Sequence, residues 1–139
     1  MENKKPTITV SATIKAPIEK VWQCWTGAEH ITIWNQASPD WHTPKASNDL
    51  RVGGKFSSTM AAKDGSMSFD FEGIYDKITP NQLIEYTIAD GRKVSIQFNS
   101  NKNETSVIET FEAEGTNSLE LQQAGWQAIM DSFKQYVEK

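Results

Sequence analysis

The sequence has 139 residues, of which 37% are apolar and 23% charged, a balance typical of a soluble globular protein. Its net charge is −4, which argues against nucleic acid as a partner because phosphate binding requires a basic surface. Neither a signal peptide after the polar start MENKKP nor a segment long enough to span a bilayer is expected.

The first part of the chain predicts a strand followed by two short helices. Residues 7–15 alternate between apolar and polar side chains, as in a half-buried antiparallel strand. Pro17 ends this strand, and residues 17–26 then carry apolar side chains at helical spacing. A second short helix is predicted at residues 28–34.

The next stretch, residues 35–48, shows no regular period and contains Trp41 and His42. Prolines and polar residues punctuate it, so we predict a long loop. Long ordered loops in small domains are often functional. The aromatic side chains would either form a lid over the core or pin the loop to it.

The middle of the chain predicts about six meandering antiparallel strands. Apolar and polar residues alternate there, and Gly-containing turns such as Asp90-Gly91 separate the segments. The alternation breaks near Gly73, where we expect a bulge. The segments are residues 49–60 (interrupted by Gly53-Gly54), 67–78, 82–89, 93–99 and 104–113.

The C-terminal stretch, residues 118–139, predicts one long amphipathic helix. Trp126, Ile129, Met130 and Phe133 share one face of it. Such a face needs a broad apolar surface, which a sheet built by the preceding strands would supply. We therefore predict an α+β fold, in which a curved antiparallel sheet of about six or seven strands wraps the long helix. We expect one domain over residues 1–139, with residues 1–6 as a disordered tail.

Five segments, taken in order, resemble one known family: APIEKVWQCWT, IW, LRVGGKF, GIYDKITPNQLIEY and GWQAIMDSFKQYV. From about Ile8 to Val137 the chain resembles the activator of heat-shock protein 90 ATPase homologue-like family, in the START-like or Bet v 1-like (helix-grip) superfamily. The resemblance implies a curved sheet that grips the C-terminal helix, with two short helices after the first strand. It also implies a cavity for lipids, sterols, polyketides or other apolar molecules, and no catalytic motif is carried over with it.

Few side chains suit catalysis or metal binding. His30 and His42 are the only histidines, and neither lies in a recognisable motif. Cys24 lies between Trp22 and Trp25 on a predicted helix, as a structural thiol would. No cluster has metal-ligand spacing and no phosphate loop is present, so we predict no metal and no cofactor.

Two acids, Asp70 and Glu72, share one face of a predicted strand. The opposite face carries Phe69 and Phe71, and exposing such side chains costs about 1.5–3 kcal/mol each. We therefore predict that the acids face solvent. In the reversed register they would enter the grip as an acid–base pair.

These observations predict a non-enzymatic protein that binds a small apolar or amphipathic molecule between the sheet and the last helix. The lone Cys24 fits a reducing cytoplasm. Tyr86 would orient the ligand, and Arg51 or Arg92 could reach a ligand carboxylate at the rim. The residues predicted to line the cavity are Trp34, Trp41, Phe56, Met60, Phe69, Phe71, Tyr86, Phe98, Trp126, Met130 and Phe133.

Two alternatives stay open. The eukaryotic namesake of the family implies a co-chaperone-like module that stimulates a chaperone ATPase. Other branches of the superfamily imply a cyclase or dehydratase, with Tyr86 or His42 as the acid or base.

Overall fold

One antiparallel sheet and three helices form the part of the chain that the structure, a computed structural model, describes: residues 6–36, 38–115 and 117–139. The strands follow the order β1-β7-β6-β5-β4-β3-β2 across the sheet, which curls into a half-barrel. The predicted α+β helix-grip fold is confirmed. The elements are β1 (Thr7–Ile14), α1 (Ile18–Thr26), α2 (Ala28–Trp34), β2 (Trp41–Asn48), β3 (Lys55–Ala62), β4 (Ser68–Thr79), β5 (Leu83–Ile88), β6 (Lys93–Asn101), β7 (Glu104–Glu112) and α3 (Leu119–Glu138).

Helix α3 lies against the sheet through its apolar face. Ser118 caps its first turn, since the Ser118 hydroxyl accepts a hydrogen bond of 3.1 Å from the Leu121 amide. Met130 and Phe133 are fully buried and Val137 nearly so. The predicted amphipathic helix is therefore confirmed, and its apolar stripe forms part of the main core.

The same helix covers the outer edge of β1. Strand β1 pairs only with β7 in the sheet, so alternate backbone groups on its other side need partners. Side chains of α3 supply them: Gln127 Nε2 donates to the Ser11 carbonyl at 3.0 Å, and Glu138 accepts from the Lys15 amide at 2.9 Å. Because its backbone is satisfied by side chains, this edge of the sheet is closed to another strand.

The predicted loop at residues 35–48 is wrong over its second half, which forms strand β2. This strand lies at the other edge of the sheet and pairs with β3, with an irregularity between His42 and Lys45. Pro44 lies within that irregularity and has no amide hydrogen to donate, which an edge strand tolerates. The bulge and the half-solvated edge remove the alternation by which a strand is recognised in sequence.

The predicted strand segment at residues 49–60 is also wrong over its first part, because Leu50 and Val52 lie in the turn region before β3 and are exposed. Glycine is needed in this turn, since a Cβ on Gly54 would lie 2.1 Å from the Asp49 carbonyl oxygen. The bulge expected near Gly73 lies slightly later, between Tyr75 and Lys77.

The predicted orientation of the acidic pair on β4 is confirmed. Asp70 is exposed and accepts a hydrogen bond of 2.7 Å from the Thr59 hydroxyl. Glu72 lies 3.7 Å from the Lys55 ammonium group in a solvent-exposed ion pair. Neither carboxylate reaches the concave side of the sheet.

Two further expectations concern the chain ends and the membrane. Residues 1–5 of the predicted tail lie outside the described residues, whereas the Pro6 carbonyl accepts a hydrogen bond of 2.8 Å from the Ala113 amide. In the described ranges, no helix combines the length and the apolarity needed to cross a membrane.

Candidate functional site

A cavity of about 520 Å³ lies between the concave face of the sheet and the helices. This volume is in the range of sites for small molecules. Side chains alternate between the two faces of a strand, and this alternation determines which residues form the cavity wall. On β3, the inward side chains are those of Phe56, Ser58 and Met60. The other lining side chains are Trp25, Ile31, Trp34, Asn35, Ser38, Trp41, Ser47, Phe69, Phe71, Tyr75, Ile84, Tyr86, Arg92, Glu109, Glu114, Trp126 and Ile129, together with Gly125.

Most of the residues predicted to line a cavity do lie in its wall. The structure brings these together there: Trp34, Trp41, Phe56, Met60, Phe69, Phe71, Tyr86 and Trp126. Phe98, Met130 and Phe133 do not line it and are buried in the core instead.

Buried aromatic residues pack closely at one end of the grip. The ring of Phe133 packs edge-on against Trp25 and Trp34, with centroids 4.8 Å away in both cases. Phe98 packs against Trp22 in the same manner at 5.2 Å. These rings form a packed aromatic cluster, and the cavity lies beside it, bordered by Trp25 and Trp34.

Trp126 closes the cavity from the helix side and is held firmly. Its ring stacks on the buried Phe111 ring with centroids 3.8 Å apart and an interplanar angle of 12°. Phe71 contacts it edge-on from the sheet at 6.1 Å. Trp126 is thus a rigid wall of the cavity.

The cavity opens toward the β2 edge of the sheet. Trp41 on β2 and Phe69 on β4 face each other there with centroids 6.0 Å apart. Phe69 is 49% exposed and Trp41 is half-buried. These two rings flank the mouth, where an apolar molecule would first meet the protein.

Two buried polar side chains line the cavity from the strands on either side of β6, Tyr86 from β5 and Glu109 from β7. Glu109 is 6% exposed and Tyr86 is 8% exposed. Burial raises the pKa of Glu109 to about 8 and, with the nearby Glu109, raises the pKa of Tyr86 well above its ordinary value. At neutral pH both groups are therefore mainly protonated and able to donate hydrogen bonds.

Tyr75 and Arg92 complete the polar part of the lining. The Tyr75 hydroxyl donates to Asn48 Oδ1 at 2.6 Å, and burial raises the pKa of Tyr75 to about 12 although this hydrogen bond opposes the shift. Arg92 Nε lies 2.8 Å from Asp90 Oδ2, so its charge is already paired. Of the two arginines predicted at a rim, Arg92 lines the cavity, whereas Arg51 points to solvent beside Asp49.

Sequence reasoning missed Glu109, although the signal was present. Val107, Glu109 and Phe111 alternate along β7, so the inward face of the strand carries one acid between two apolar residues. In the sheet, Glu109 lies opposite Val10 and Ile96, which are 1% and 0% exposed. Strict two-residue periodicity would have placed this acid in the interior.

The other candidate reactive groups lie outside the cavity. His42 on β2 is not in its lining, so the histidine proposed as an acid or base does not meet Tyr86 there. His30 shares a hydrogen bond of 2.6 Å with the Tyr136 hydroxyl. Cys24 is buried, and burial raises the pKa of its thiol, which disfavours a nucleophilic thiolate. Within the described ranges no group of three potential metal ligands comes together.

Comparison with known families identifies the origin of this architecture. Residues 15–138 match the family described as Activator of Hsp90 ATPase homolog 1-like protein. The chain belongs to this family. Its START-like, helix-grip architecture agrees with the superfamily that the sequence resembles. Among curated proteins, none matches the sequence significantly.

Solved structures of bacterial proteins share both fold and sequence with this family member. An AHSA1-like protein from Aeromonas hydrophila is 46% identical, with a TM-score of 0.90 over 96% of this chain and 92% of that one. A protein from Cytophaga hutchinsonii is 57% identical, with a TM-score of 0.81 over 98% and 93% of the two chains. The Aha1 dimer from Colwellia psychrerythraea, 21% identical over 96% of each chain with a TM-score of 0.75, shares the fold.

Proposed function

We propose that this protein is a cytoplasmic, non-catalytic carrier or sensor that binds a small apolar or amphipathic molecule in the cavity. The observation that carries the proposal is a space of about 520 Å³ walled mainly by aromatic and aliphatic side chains. A ligand would be held by burial of its apolar surface at roughly 25 cal/mol per Å² and by a few hydrogen bonds. Trp34, Trp41, Phe56, Met60, Phe69, Phe71, Tyr86 and Trp126 are the proposed binding residues.

A glycine in the middle of α3 supports this proposal. Gly125 lines the cavity, and a Cβ built on it would meet no atom of the other described elements within 4 Å. Glycine within a helix costs about 1 kcal/mol relative to alanine. Because no neighbouring side chain requires the glycine, an occupant of the cavity is a physical reason for keeping the space open.

We expect Gly125→Leu to weaken ligand binding by about tenfold or more, because the new side chain enters the cavity. Folding should not suffer, since leucine is the better helix former by nearly 1 kcal/mol. Ligands are first found by ligand-observed NMR with fatty acids, sterols and aromatic metabolites. Their affinity is then measured by the fluorescence of the tryptophans in the wall.

Ala124→Leu is the matched control, because Ala124 is adjacent in the helix and exposed. It should bind as the wild type does. Equal affinity of Gly125→Leu and Ala124→Leu would contradict a site in this cavity, and a failure of all compounds to bind would contradict the proposed function.

The family match favours a second candidate, a co-chaperone-like module, because the family is named for activation of the Hsp90 ATPase. In that case the outer surface would contact a chaperone. We expect the purified protein then to raise the ATP hydrolysis rate of an Hsp90-type chaperone in a saturable manner, as measured by phosphate release. An unchanged rate at a large excess of the protein would contradict this candidate.

A further inference from the structure

The carboxyl group of Glu109 is an acid without a partner inside an aromatic cavity. It makes no hydrogen bond or ion pair with any residue in the described ranges, although the side chain is only 6% exposed. Every fully covered polar side-chain atom of those ranges has a hydrogen-bond partner. The Glu109 oxygens must therefore reach the open space of the cavity, where a ligand would meet them.

In the described part of the chain, no cation forms an ion pair with the Glu109 carboxyl group. Burial is the cause of its raised pKa, and the titratable group that it affects is a phenol, Tyr86 on β5, whose pKa Glu109 raises and Arg92 lowers. Arg92 is paired with Asp90 at 2.8 Å, and Glu114, the remaining charged group of the lining, is another acid. The parts of α2 and α3 in the lining carry no titratable side chain. When Glu109 and Glu114 are ionised, the cavity lining therefore carries a negative charge that Arg92 does not balance.

The aromatic side chains of the cavity wall favour a cationic ligand, as the Glu109 carboxylate does. Tyr86 and Phe56 pack edge-to-face at 4.7 Å, and Tyr75 and Phe71 lie beside them with ring centroids 5.2 and 5.9 Å from Phe56. Aromatic faces attract cations, and they do so more strongly in a desolvated site. An apolar body would occupy the rest of the cavity.

We propose, on the basis of the proposed binding function, that the natural ligand is an apolar amine whose ammonium group pairs with the Glu109 carboxylate. Near neutral pH the amine enters as its cation, and the proton of the Glu109 carboxyl passes to solvent. The resulting ion pair is enclosed by aromatic rings. Once Glu109 is ionised, a fatty acid would instead place a second negative charge beside it, and Arg92, the cation of the cavity lining, is already paired with Asp90 at 2.8 Å.

The test compares decylamine, decanol and decanoate, which share one chain and differ in the head group. Binding to the wild type is measured by tryptophan fluorescence at concentrations below micelle formation. We expect decylamine to bind at least about tenfold more tightly than decanol at pH 8. Its affinity should rise about tenfold per pH unit between pH 6 and pH 7 and level off above about pH 8, because the carboxyl must lose its proton. The affinity of decanol should not rise over this range.

Glu109→Gln removes the charge and keeps the shape, so it should bind decylamine no better than decanol. Glu104→Gln is the control, because Glu104 lies at the exposed end of the same strand. It should keep the preference for the amine.

The amine proposal is overturned if decanol or decanoate binds as tightly as decylamine, or if Glu109→Gln keeps the preference. If decanol binds without any such preference, the cavity still binds apolar molecules and only the amine is excluded. If none of the three binds, both proposals fail.

Discussion

Glu109→Gln should stabilise the protein by about 3 kcal/mol at pH 7, although it only replaces one carboxyl oxygen of a buried side chain by an amide nitrogen. The folded protein holds the Glu109 proton up to about pH 8, whereas the unfolded chain releases it near the ordinary value of 4.5. Between these values the folded state binds more protons, so the contribution of Glu109 to stability is lost as pH rises through this window. Gln cannot ionise and escapes this loss.

The measurement is the free energy of unfolding from urea titrations at pH 5, 6, 7 and 8. The difference between Glu109→Gln and the wild type should be small at pH 5, increase with each pH unit and become constant above about pH 8. Glu104→Gln, at the exposed end of the same strand, should follow the wild type throughout. Parallel curves for Glu109→Gln and the wild type would show that the carboxyl has an ordinary pKa and is solvated.

Phe133→Ala should lower the free energy of unfolding by about 3–5 kcal/mol, the usual range for a fully buried aromatic side chain. Phe133 is 0% exposed and packs against both Trp25 and Trp34. Its removal would leave an empty volume in the filled end of the grip, because the surrounding rings cannot collapse into it. Urea titration at a fixed pH measures the loss.

Phe69→Ala is the comparison for Phe133→Ala, since the same side chain is lost from the mouth of the cavity. Phe69 is 49% exposed, so less apolar surface returns to water and no sealed void forms. We expect a loss below about 1 kcal/mol. Similar losses for the two variants would contradict the division of the grip into a filled end and an open end.

Most of the fold can be predicted from periodicity because one-sided burial leaves a regular pattern in the chain. β1 alternates strictly since one face packs on the core, and α3 repeats at three and four residues since one stripe lies on the sheet. Periodicity does not predict β2, because Pro44 and the neighbouring irregularity interrupt this strand at a half-solvated edge of the sheet. A pattern of burial cannot reveal a strand whose two faces differ little in exposure.

The candidate site shows the same limit at the level of single residues. The alternation of Val107, Glu109 and Phe111 contains the information that Glu109 points inward, but only the folded sheet shows that no cation of the described residues pairs with it. Contacts of this kind join residues far apart in sequence, and local spacing does not encode them.

The sequence alone determines that a long helix carries Trp126, Met130 and Phe133 on one face and that a curved sheet receives them. It cannot separate these three residues, since one helical stripe gives them the same periodicity. The tertiary structure separates them. Aromatic residues of α1 and α2 pack in the core with Met130 and Phe133, whereas Trp126 borders the open cavity. The physical reason is that periodicity records which face is buried, whereas the volume left between two surfaces depends on every side chain that meets there.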